Sequence, residues 1–258
     1  VAAGAKHALA NEEVKRVAIV DLDVHHGNGT EEIVRSHDDP QSLFFFSIHL
    51  FDTSTSYEFY PGTGACDDLH FNIVNTPLAP LWRRQGKGKI GDPNICKAMY
   101  KSGREHFRDL ISARLEPSLR AFDPDLIMIS AGFDGTAEDV GNCQAGGSTR
   151  SGSGLDLQPS DYFWVTSRIV AVANVCCDGR VVSVLEGGYG KRQKHELDRS
   201  DMSKCAAAHV AALVGGSNGD ILYDSDYSCE EDLLPSSSKS DFAAEPDGSY
   251  AHPSGDWD

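Results

Sequence analysis

Two carboxylates and two imidazoles lie within six residues of the chain, in the stretch DLDVHHGNG at residues 21–29. They directly follow the apolar run Val17–Val20, which predicts a buried strand. Charged side chains at the end of such a strand cost free energy unless something compensates their charge, and a metal ion is the usual compensation. The stretch therefore predicts a metal site.

Strand periodicity indicates which side chains face the ion. If the strand continues, Asp21, Asp23 and His25 project from one face, while Leu22 and Val24 point into apolar packing. The alternative is that Asp21 or Asp23 caps the helix that follows, but one cap does not need two carboxylates and a histidine. We therefore favour a rigid metal site at the end of this strand.

The elements that position such a site are strands and helices in alternation. Four apolar runs predict buried parallel strands, because each is too continuous for a strand that faces water on one side. These runs are Val17–Val20, Leu43–Ile48, Leu126–Ser130 and Val181–Leu185. Helices are expected at residues 92–116, capped by Asp92, and at residues 160–177, capped by Ser160. The pattern predicts an α/β fold with a doubly wound, mostly parallel sheet flanked by helices.

Other strand ends carry further reactive side chains. In open parallel sheets the ligand site lies beyond the carboxyl ends of the strands. Asp134 follows the third apolar run in SAGFDG, and Tyr189 follows the fourth in EGGYG. Two carboxylates and one imidazole, with positions left open for water and substrate, are typical of catalytic zinc. Asp23, His25 and Asp134 would form that set, at which iron or cobalt could replace zinc.

The net charge of −16 is unevenly distributed along the chain. Residues 217–258 contain eleven acidic residues and one lysine, so this segment accounts for −10 of the total. It is rich in Ser, Asp, Gly and Pro, and we expect an acidic, disordered tail after one folded domain at residues 1–216. The acidic balance argues against binding to a nucleic-acid backbone and permits a basic peptide partner.

Two further classes of protein are disfavoured. No apolar stretch approaches the roughly 20 residues that span a bilayer, and the first residues lack a secretory pattern, so an intracellular protein is expected. The seven cysteines form no C-x-x-C pair. Neither a disulfide scaffold nor a thiolate zinc site is therefore predicted.

Five motifs in order resemble those of the zinc-dependent histone deacetylases, which have the arginase/deacetylase fold. They are DLDVHHGNGTEEI, SIHL, YEFYPGTG, SAGFDG and VSVLEGGYG. Asn28 makes the first motif more similar to class II and its bacterial relatives than to class I, which usually has aspartate there. The resemblance runs from Val1 to about Gly215.

The resemblance implies a role for each of these motifs. The family's zinc-ligand positions are occupied here by Asp23, His25 and Asp134. Tyr189 matches the tyrosine that donates a hydrogen bond to the tetrahedral oxyanion, with a buried core tyrosine as the alternative. Tyr60 and Gly188 match the acyl-lysine channel, although Tyr60 could instead anchor a turn. Asp21 and Ser47 resemble a potassium site, and Asp21 would also support the zinc ligands.

The family's tandem histidines, which move protons at the zinc water, lie before the helix with which this chain begins. His25–His26 is not that pair. The resemblance therefore implies a domain that is incomplete at its N-terminus and lacks its general base. Loss of a general acid/base typically costs about 10²–10⁴ in rate, so little activity is expected from this chain by itself.

The expected function is zinc-dependent hydrolysis of acetyl-lysine amides in proteins, above all histones. Expected partners are acetylated histones or other proteins and corepressor-type complexes, with no direct nucleic acid or membrane contact, in the nucleus or cytoplasm. One alternative is a catalytically silent deacetylase-like binding module. Another is an acetylpolyamine amidohydrolase, which would favour an acidic residue where Gly141 stands.

Overall fold

Five parallel strands form the centre of the molecule in the computed structural model, which describes residues 1–51, 59–82, 103–143 and 153–215. The strands are β1 (Val17–Asp21), β2 (Leu43–Leu50), β3 (Ile73–Leu78), β4 (Leu126–Ala131) and β5 (Val181–Leu185). Their order across the sheet is β3-β2-β1-β4-β5. The chain thus winds outward from β1 on one side and returns to pair β4 with the other side of β1.

The four predicted strands are present, and β3 is the strand that the sequence did not predict. Its sequence, Ile73–Leu78, contains Asn75 and Pro77, so it lacks the apolar continuity of the other strands. Proline has no amide hydrogen to donate to a neighbouring strand, and it is therefore tolerated in an edge strand. Among the described residues β3 pairs with β2 alone, which agrees with that rule.

Burial on both faces is confirmed for three of the predicted strands. All residues of β1 and β2 are buried, and all but the first of β4. β5 differs, since Val182, Val184 and Leu185 are 45%, 38% and 65% exposed. Within the described part of the chain, no strand pairs with the outer edge of β5.

Six α-helices within the described ranges accompany the sheet. They are α1 (Ala2–Leu9), α2 (Asn28–Arg35), α3 (Gly103–Leu110), α4 (Glu116–Phe122), α5 (Pro159–Cys176) and α6 (Ser200–Gly215). A π-helical turn, Ile111–Leu115, joins α3 to α4. Two 3-10 turns, Leu69–Phe71 and Val140–Asn142, and a hairpin of β6 (Lys191–Gln193) and β7 (Glu196–Asp198) complete the described elements.

Both predicted helices need correction at their ends. The first continues beyond residue 116 to Phe122 through the π-helical turn, and its expected start at residues 92–102 lies outside the described residues. The second is α5, whose N-cap is Gln158 rather than Ser160. The side chains of Gln158 and Asp161 form a reciprocal capping box, which satisfies the free amides of the first turn better than a serine inside the helix.

Alternate side chains of the central strands enter two different cores. Ala18 and Val20 of β1 pack with α3–α6 on one face of the sheet, whereas Val17 and Ile19 pack with α1 and α2 on the other. A strand with a period of two, buried on both faces, requires helices on both sides. The predicted doubly wound α/β fold is therefore confirmed.

Two other predictions concern the tail and membrane-spanning helices. The acidic tail expected at residues 217–258 lies outside them. Of the helices within them, none has the length and apolar character needed to cross a membrane.

A buried imidazole ties α6 to α5 and β5. Thr166 donates its hydroxyl to the Tyr162 carbonyl at 2.7 Å, so its Oγ1 accepts the proton of His209 Nδ1, also at 2.7 Å. His209 Nε2 is then the acceptor for the Ser183 hydroxyl at 2.7 Å. These contacts need a neutral imidazole, and burial lowers the pKa of His209 to about 4.

Because the pKa of His209 is lower in the fold than in the unfolded chain, the free energy of unfolding falls in mild acid. In the unfolded chain it takes up a proton near pH 6.5, and in the fold only near pH 4. The stabilisation is present above pH 6.5 and is lost as pH falls towards 4. Between pH 7 and pH 4 we expect the melting temperature of His209→Gln, measured by circular dichroism, to fall less than that of the parent. His7→Gln, at an exposed histidine of α1, is the control; an unchanged pH profile for His209→Gln would contradict the assignment.

Candidate metal centre

The topology of the sheet places the site. β1 and β4 are neighbours, yet the chain leaves β1 towards β2 and leaves β4 towards β5, on opposite sides. Loops that diverge at the carboxyl ends of adjacent strands open a crevice, which is where open α/β sheets bind ligands. Asp23 and His25 follow β1, and Asp134 follows β4.

The predicted continuation of β1 through His25 is wrong. The strand ends at Asp21, and the chain turns twice: Asp21 Oδ1 accepts from the Asp23 amide at 3.0 Å, and Asp23 Oδ1 accepts from the His25 amide at 2.8 Å. Such side-chain contacts with the amide two residues on stabilise turns in place of a strand ladder. Leu22 and Val24 are buried in the core, as predicted.

The helix-cap alternative for these aspartates does not hold. α2 begins at Asn28, its N-cap is Gly27, and no side chain caps it. Asp21 and Asp23 are engaged with the turn amides and not with the start of α2.

The ligand cluster, defined as Asp23, His25 and Asp134, is brought together by the fold. His25 Nδ1 lies 2.9 Å from Asp23 Oδ1 and 3.1 Å from Asp134 Oδ2. One ligand atom from each residue lies within 4.8 Å of the others. The three side chains could therefore hold one metal ion.

Asp134 shows how well the cluster fits a cation. Its Oδ1 accepts from the Val24 amide at 3.0 Å. Its Oδ2 is fully buried and has, among the described residues, only a poorly aligned contact with His25 Nδ1 at 3.1 Å, a nitrogen that lies closer to Asp23 Oδ1. A buried carboxylate oxygen left this way costs free energy, and coordination of an ion is the contact that it lacks.

Two glycines, Gly132 and Gly187, form one side of the cluster, here called the glycine wall. A Cβ at Gly187 would lie 2.5 Å from Asp134 Oδ2 and would also collide with Asp23 Oδ2, and a Cβ at Gly132 would collide with Asp23. The Gly187 amide donates to Asp23 Oδ2 at 3.0 Å. Glycine is thus required where the β5 loop passes the two carboxylates.

The pKa values of the cluster indicate a site that attracts positive charge. Burial alone would lower the pKa of His25, but hydrogen bonds and charge from Asp134 and Asp23 raise it to about 10. Burial and the charge of Asp23 outweigh the imidazole and raise the pKa of Asp134 to about 6. Burial also opposes ionisation of Asp23, but hydrogen bonds from His25 prevail and lower its pKa.

Tyr189 lies beside the cluster and is 46% exposed, which excludes the core-tyrosine alternative. Its ring covers Gly141, where a Cβ would lie 2.8 Å from the ring atoms Cδ2 and Cε2 and 3.2 Å from Asp134 Cβ. Burial, followed by the charges of Asp134 and Asp23, raises the pKa of Tyr189. The phenol thus keeps its proton at neutral pH and can donate a hydrogen bond.

Aromatic rings border the cluster on the side of residues 59–64. The Tyr60 ring meets His25 edge-on, with centroids 6.2 Å apart, and is 72% exposed. Phe59, which sequence reasoning missed, stacks on His25 with centroids 5.1 Å apart and an interplanar angle of 13°. Its only sequence signal was adjacency to Tyr60 in EFYP. The stacking holds the imidazole ring in its orientation towards the carboxylates.

A cleft of about 550 Å³ is lined by Asp23, His25 and Tyr189, whereas the fully buried Asp134 is not among its lining residues. Among the described residues that line it are Asp21, Asp23, His25, Tyr60, Gly187 and Tyr189. Gly188, predicted for the channel, is not in that lining set; a Cβ there would instead meet Met202 and Phe133. Its φ of 124° belongs to the region that favours glycine.

Asp21 and Ser47 are neighbours across β1 and β2, as the expected potassium site requires, and both are buried. Burial, followed by the charge of Asp23, raises the pKa of Asp21 well above its ordinary value. The Ser47 hydroxyl lies 2.9 Å from His49 Nδ1. His26, the second imidazole of the opening motif, is directed to Thr63 (2.8 Å) and Glu31 (2.9 Å).

Asp139 is a second residue that sequence reasoning missed. Its carboxylate accepts hydrogen bonds from the amides of Gly141, Tyr189 and Gly190. Burial raises its pKa, and the three amides oppose that shift. The sequence AEDVG offered only a weak turn signal, because its partners at 189 and 190 are about fifty residues away.

Comparisons with known proteins agree with this geometry. The profile of the histone deacetylase domain matches residues 1–212. Type-2 histone deacetylase 2 of Dictyostelium discoideum is 37% identical over 223 residues, covering 86% of this chain and 11% of that protein. Histone deacetylase HDA1 of Candida albicans is 34% identical, covering 83% of this chain and 21% of that protein.

Solved structures give the same result. The crystal structure of the HDA15 HD domain superposes with a TM-score of 0.53 and 28% identity, covering 79% of this chain and 46% of that one. The structure of the histone deacetylase Clr3 gives a TM-score of 0.57 and 27% identity, covering 83% of this chain and 30% of that one. This chain thus spans less than half the length of each of these four proteins.

The glycine wall predicts a sharp effect on metal binding. Gly187→Ala should displace the carboxylates of Asp23 and Asp134 and weaken Zn²⁺ binding by about 10–100-fold, as perturbed ligand support does elsewhere. Gly29→Ala is the matched control, since a Cβ at Gly29 meets nothing within 4 Å. Competition with a chromogenic chelator measures both affinities. Equal affinities in the two variants would contradict the site.

Proposed function

Because the chain belongs to the histone deacetylase domain family, we propose that it carries out metal-dependent hydrolysis of acetyl-lysine amides in proteins, histones first among them. The observation that carries the proposal is the ligand cluster with the Tyr189 phenol beside it and an orphaned carboxylate oxygen inside it. The silent binding module and the acetylpolyamine amidohydrolase are not favoured, because the relatives that this chain matches are histone deacetylases.

Zinc is the ion we propose. One imidazole nitrogen and two carboxylates with open positions are a typical catalytic zinc set, and iron or cobalt also accept these donors. When bound, zinc supplies electrophilic polarisation of the acetyl carbonyl and a water whose pKa falls towards roughly 7. We also propose a potassium ion at Asp21 and Ser47, where a buried carboxyl with a raised pKa adjoins a hydroxyl.

The chain's own residues bind and orient the substrate. The exposed ring of Tyr60 lines the cleft and offers an apolar flank that suits the butyl stem of lysine, while the buried Phe59 supports His25 beside it. The protonated phenol of Tyr189 donates a hydrogen bond to the oxygen on which charge develops. Such a donor is worth about 3–4 kcal/mol of barrier, because it is oriented before the reaction begins.

The surroundings of the site suggest substrates and partners. Carboxylates around the cleft suit a positively charged peptide such as a histone tail. Corepressor-type complexes, and a location in the nucleus or cytoplasm, are proposals drawn from the family resemblance.

The direct test uses the protein in its natural length. We expect metal analysis to find one zinc ion per chain, and hydrolysis of an acetyl-lysine peptide to cease on chelation and return on addition of zinc. An acetylated polyamine, assayed in parallel, should be hydrolysed more slowly than the peptide. A protein that holds zinc but releases no acetate from the peptide would overturn the proposed function.

A single hydroxyl tests the role of Tyr189. Tyr189→Phe should lower kcat by about 10²–10³-fold with KM and zinc content unchanged, because the lost hydrogen bond forms in the transition state. The control is Tyr162→Phe, which removes a buried hydroxyl that has no hydrogen-bond partner among the described residues. Steady-state kinetics on an acetyl-lysine peptide decide between them. Equal rates for the two variants would remove Tyr189 from the mechanism.

A further inference from the structure

One buried carboxylate joins the two loops around Tyr189. Asp139 is 1% exposed. Its Oδ2 accepts from the amides of Tyr189 at 2.9 Å and Gly190 at 2.6 Å, and its Oδ1 accepts from the Gly141 amide at 2.8 Å. Three amide donors on two oxygens indicate an ionised carboxylate whose hydrogen bonds are all directed to backbone.

The backbone of the two loops is fastened at the same place. The Val140 amide donates to the Gly190 carbonyl at 3.0 Å, and Asp139 forms an antiparallel bridge with Lys191. Lys191 Nζ pairs with Asp201 at 2.6 Å, and the exposed Glu138, 3.5 Å from that nitrogen, adds little to the fastening. The loop after β4, which carries Asp134, is thereby fixed to the loop after β5.

Tyr189 has little else to hold it. Gly188 and Gly190, on either side, have φ values of 124° and 93°, and glycine there places no side-chain restraint on the backbone. The ring is 46% exposed, so packing covers only part of it. The fixed direction of the phenol must therefore come from contacts made by the backbone of the loop.

Asp139 also fixes the surface on which the ring lies. Its Oδ1 holds Gly141, and the Tyr189 ring covers Gly141 so closely that a Cβ would lie 2.8 Å from two ring atoms. One carboxylate thus sets both the loop that carries the phenol and the backbone beneath the ring.

We propose that Asp139 is a positioning residue for Tyr189, which orients the phenol towards the ligand cluster by holding the amides of Tyr189, Gly190 and Gly141. The inference rests on the proposed function, in which this phenol donates to the substrate oxygen. Asparagine cannot replace the carboxylate, because its NH₂ group would face amides that also donate.

Kinetics of the full-length protein test the inference. Asp139→Asn should lower kcat by about 10²-fold, the typical cost of an ångström-scale misplacement, with KM changed less than about threefold. In the Tyr189→Phe background the same substitution should cost less than about threefold, because the group on which it acts is gone. Equal costs in both backgrounds would overturn the proposal.

Two further variants control for loss of folding. Glu138→Gln changes the neighbouring, exposed acid, and should keep kcat within about twofold. Gly141→Ala leaves Asp139 in place but pushes on the Tyr189 ring, and should reproduce the kcat loss of Asp139→Asn. Zinc content should stay near that of the parent in all variants. The melting temperature of Asp139→Asn should fall, because buried amides lose an acceptor, so kinetics are measured well below it. A loss of zinc in Asp139→Asn equal to its loss of kcat would overturn the positioning role.

A readout without turnover separates this inference from the proposed function. With 3-fluorotyrosine at position 189, the ¹⁹F spectrum should show one sharp resonance in the parent and in Glu138→Gln, and a broadened or divided one in Asp139→Asn. An unchanged resonance in Asp139→Asn would overturn the role of Asp139 whether or not the protein hydrolyses acetyl-lysine. A changed resonance in a protein without hydrolysis would overturn the proposed function and leave the loop contact standing.

Discussion

A buried and a half-buried carboxylate share one imidazole nitrogen, and the rest of the site is arranged around the charge this creates. Asp23 Oδ1 and Asp134 Oδ2 lie 2.9 and 3.1 Å from His25 Nδ1, and Asp134 is fully buried. Like charges so close in a low dielectric repel strongly unless a positive charge lies between them. The raised pKa values of His25 and Asp134 express that demand for a cation. A bound divalent ion would place two positive charges against the two carboxylates, one more than a protonated imidazole supplies.

The fold meets this constraint by drawing the site from three loops that diverge at one edge of the sheet. The β1 loop supplies Asp23 and His25, the β4 loop supplies Asp134, and the β5 loop supplies Gly187 and Tyr189. The strands β1, β4 and β5 are adjacent and parallel, so their ends are fixed to one another by ladder hydrogen bonds. A rigid frame of this kind limits movement of the loops that carry the ligands.

Rigidity is distributed unevenly within the site. His25 is held by the carboxylates and by the stacked ring of Phe59, and Asp134 by the Val24 amide. Tyr189 stands on a glycine-flanked loop instead, and its position depends on hydrogen bonds from backbone to Asp139. In the proposed function this phenol must be oriented for the transition state while the cleft stays open to a long side chain. Gly188 and Gly190 leave the backbone on both sides of Tyr189 free of side chains, and the buried Asp139 fixes that backbone by accepting its amides.

The sequence by itself determined the parts of this protein that depend on local pattern. Continuous apolar runs predicted β1, β2, β4 and β5, and the residue types after those strands predicted the ligand cluster and Tyr189. These signals are local, because burial on both faces and the preference of metals for particular donors are legible in a few residues.

Tertiary structure alone decided the remainder, because the deciding contacts join residues far apart in the chain. The Val24 amide meets Asp134 across 110 positions, the Gly187 amide meets Asp23 across 164, and Asp139 meets Tyr189 across 50. The stacking of Phe59 on His25 and the edge strand β3 likewise became visible only in the fold. No short window of sequence contains both partners of such a contact, so composition and period give it no distinctive signal.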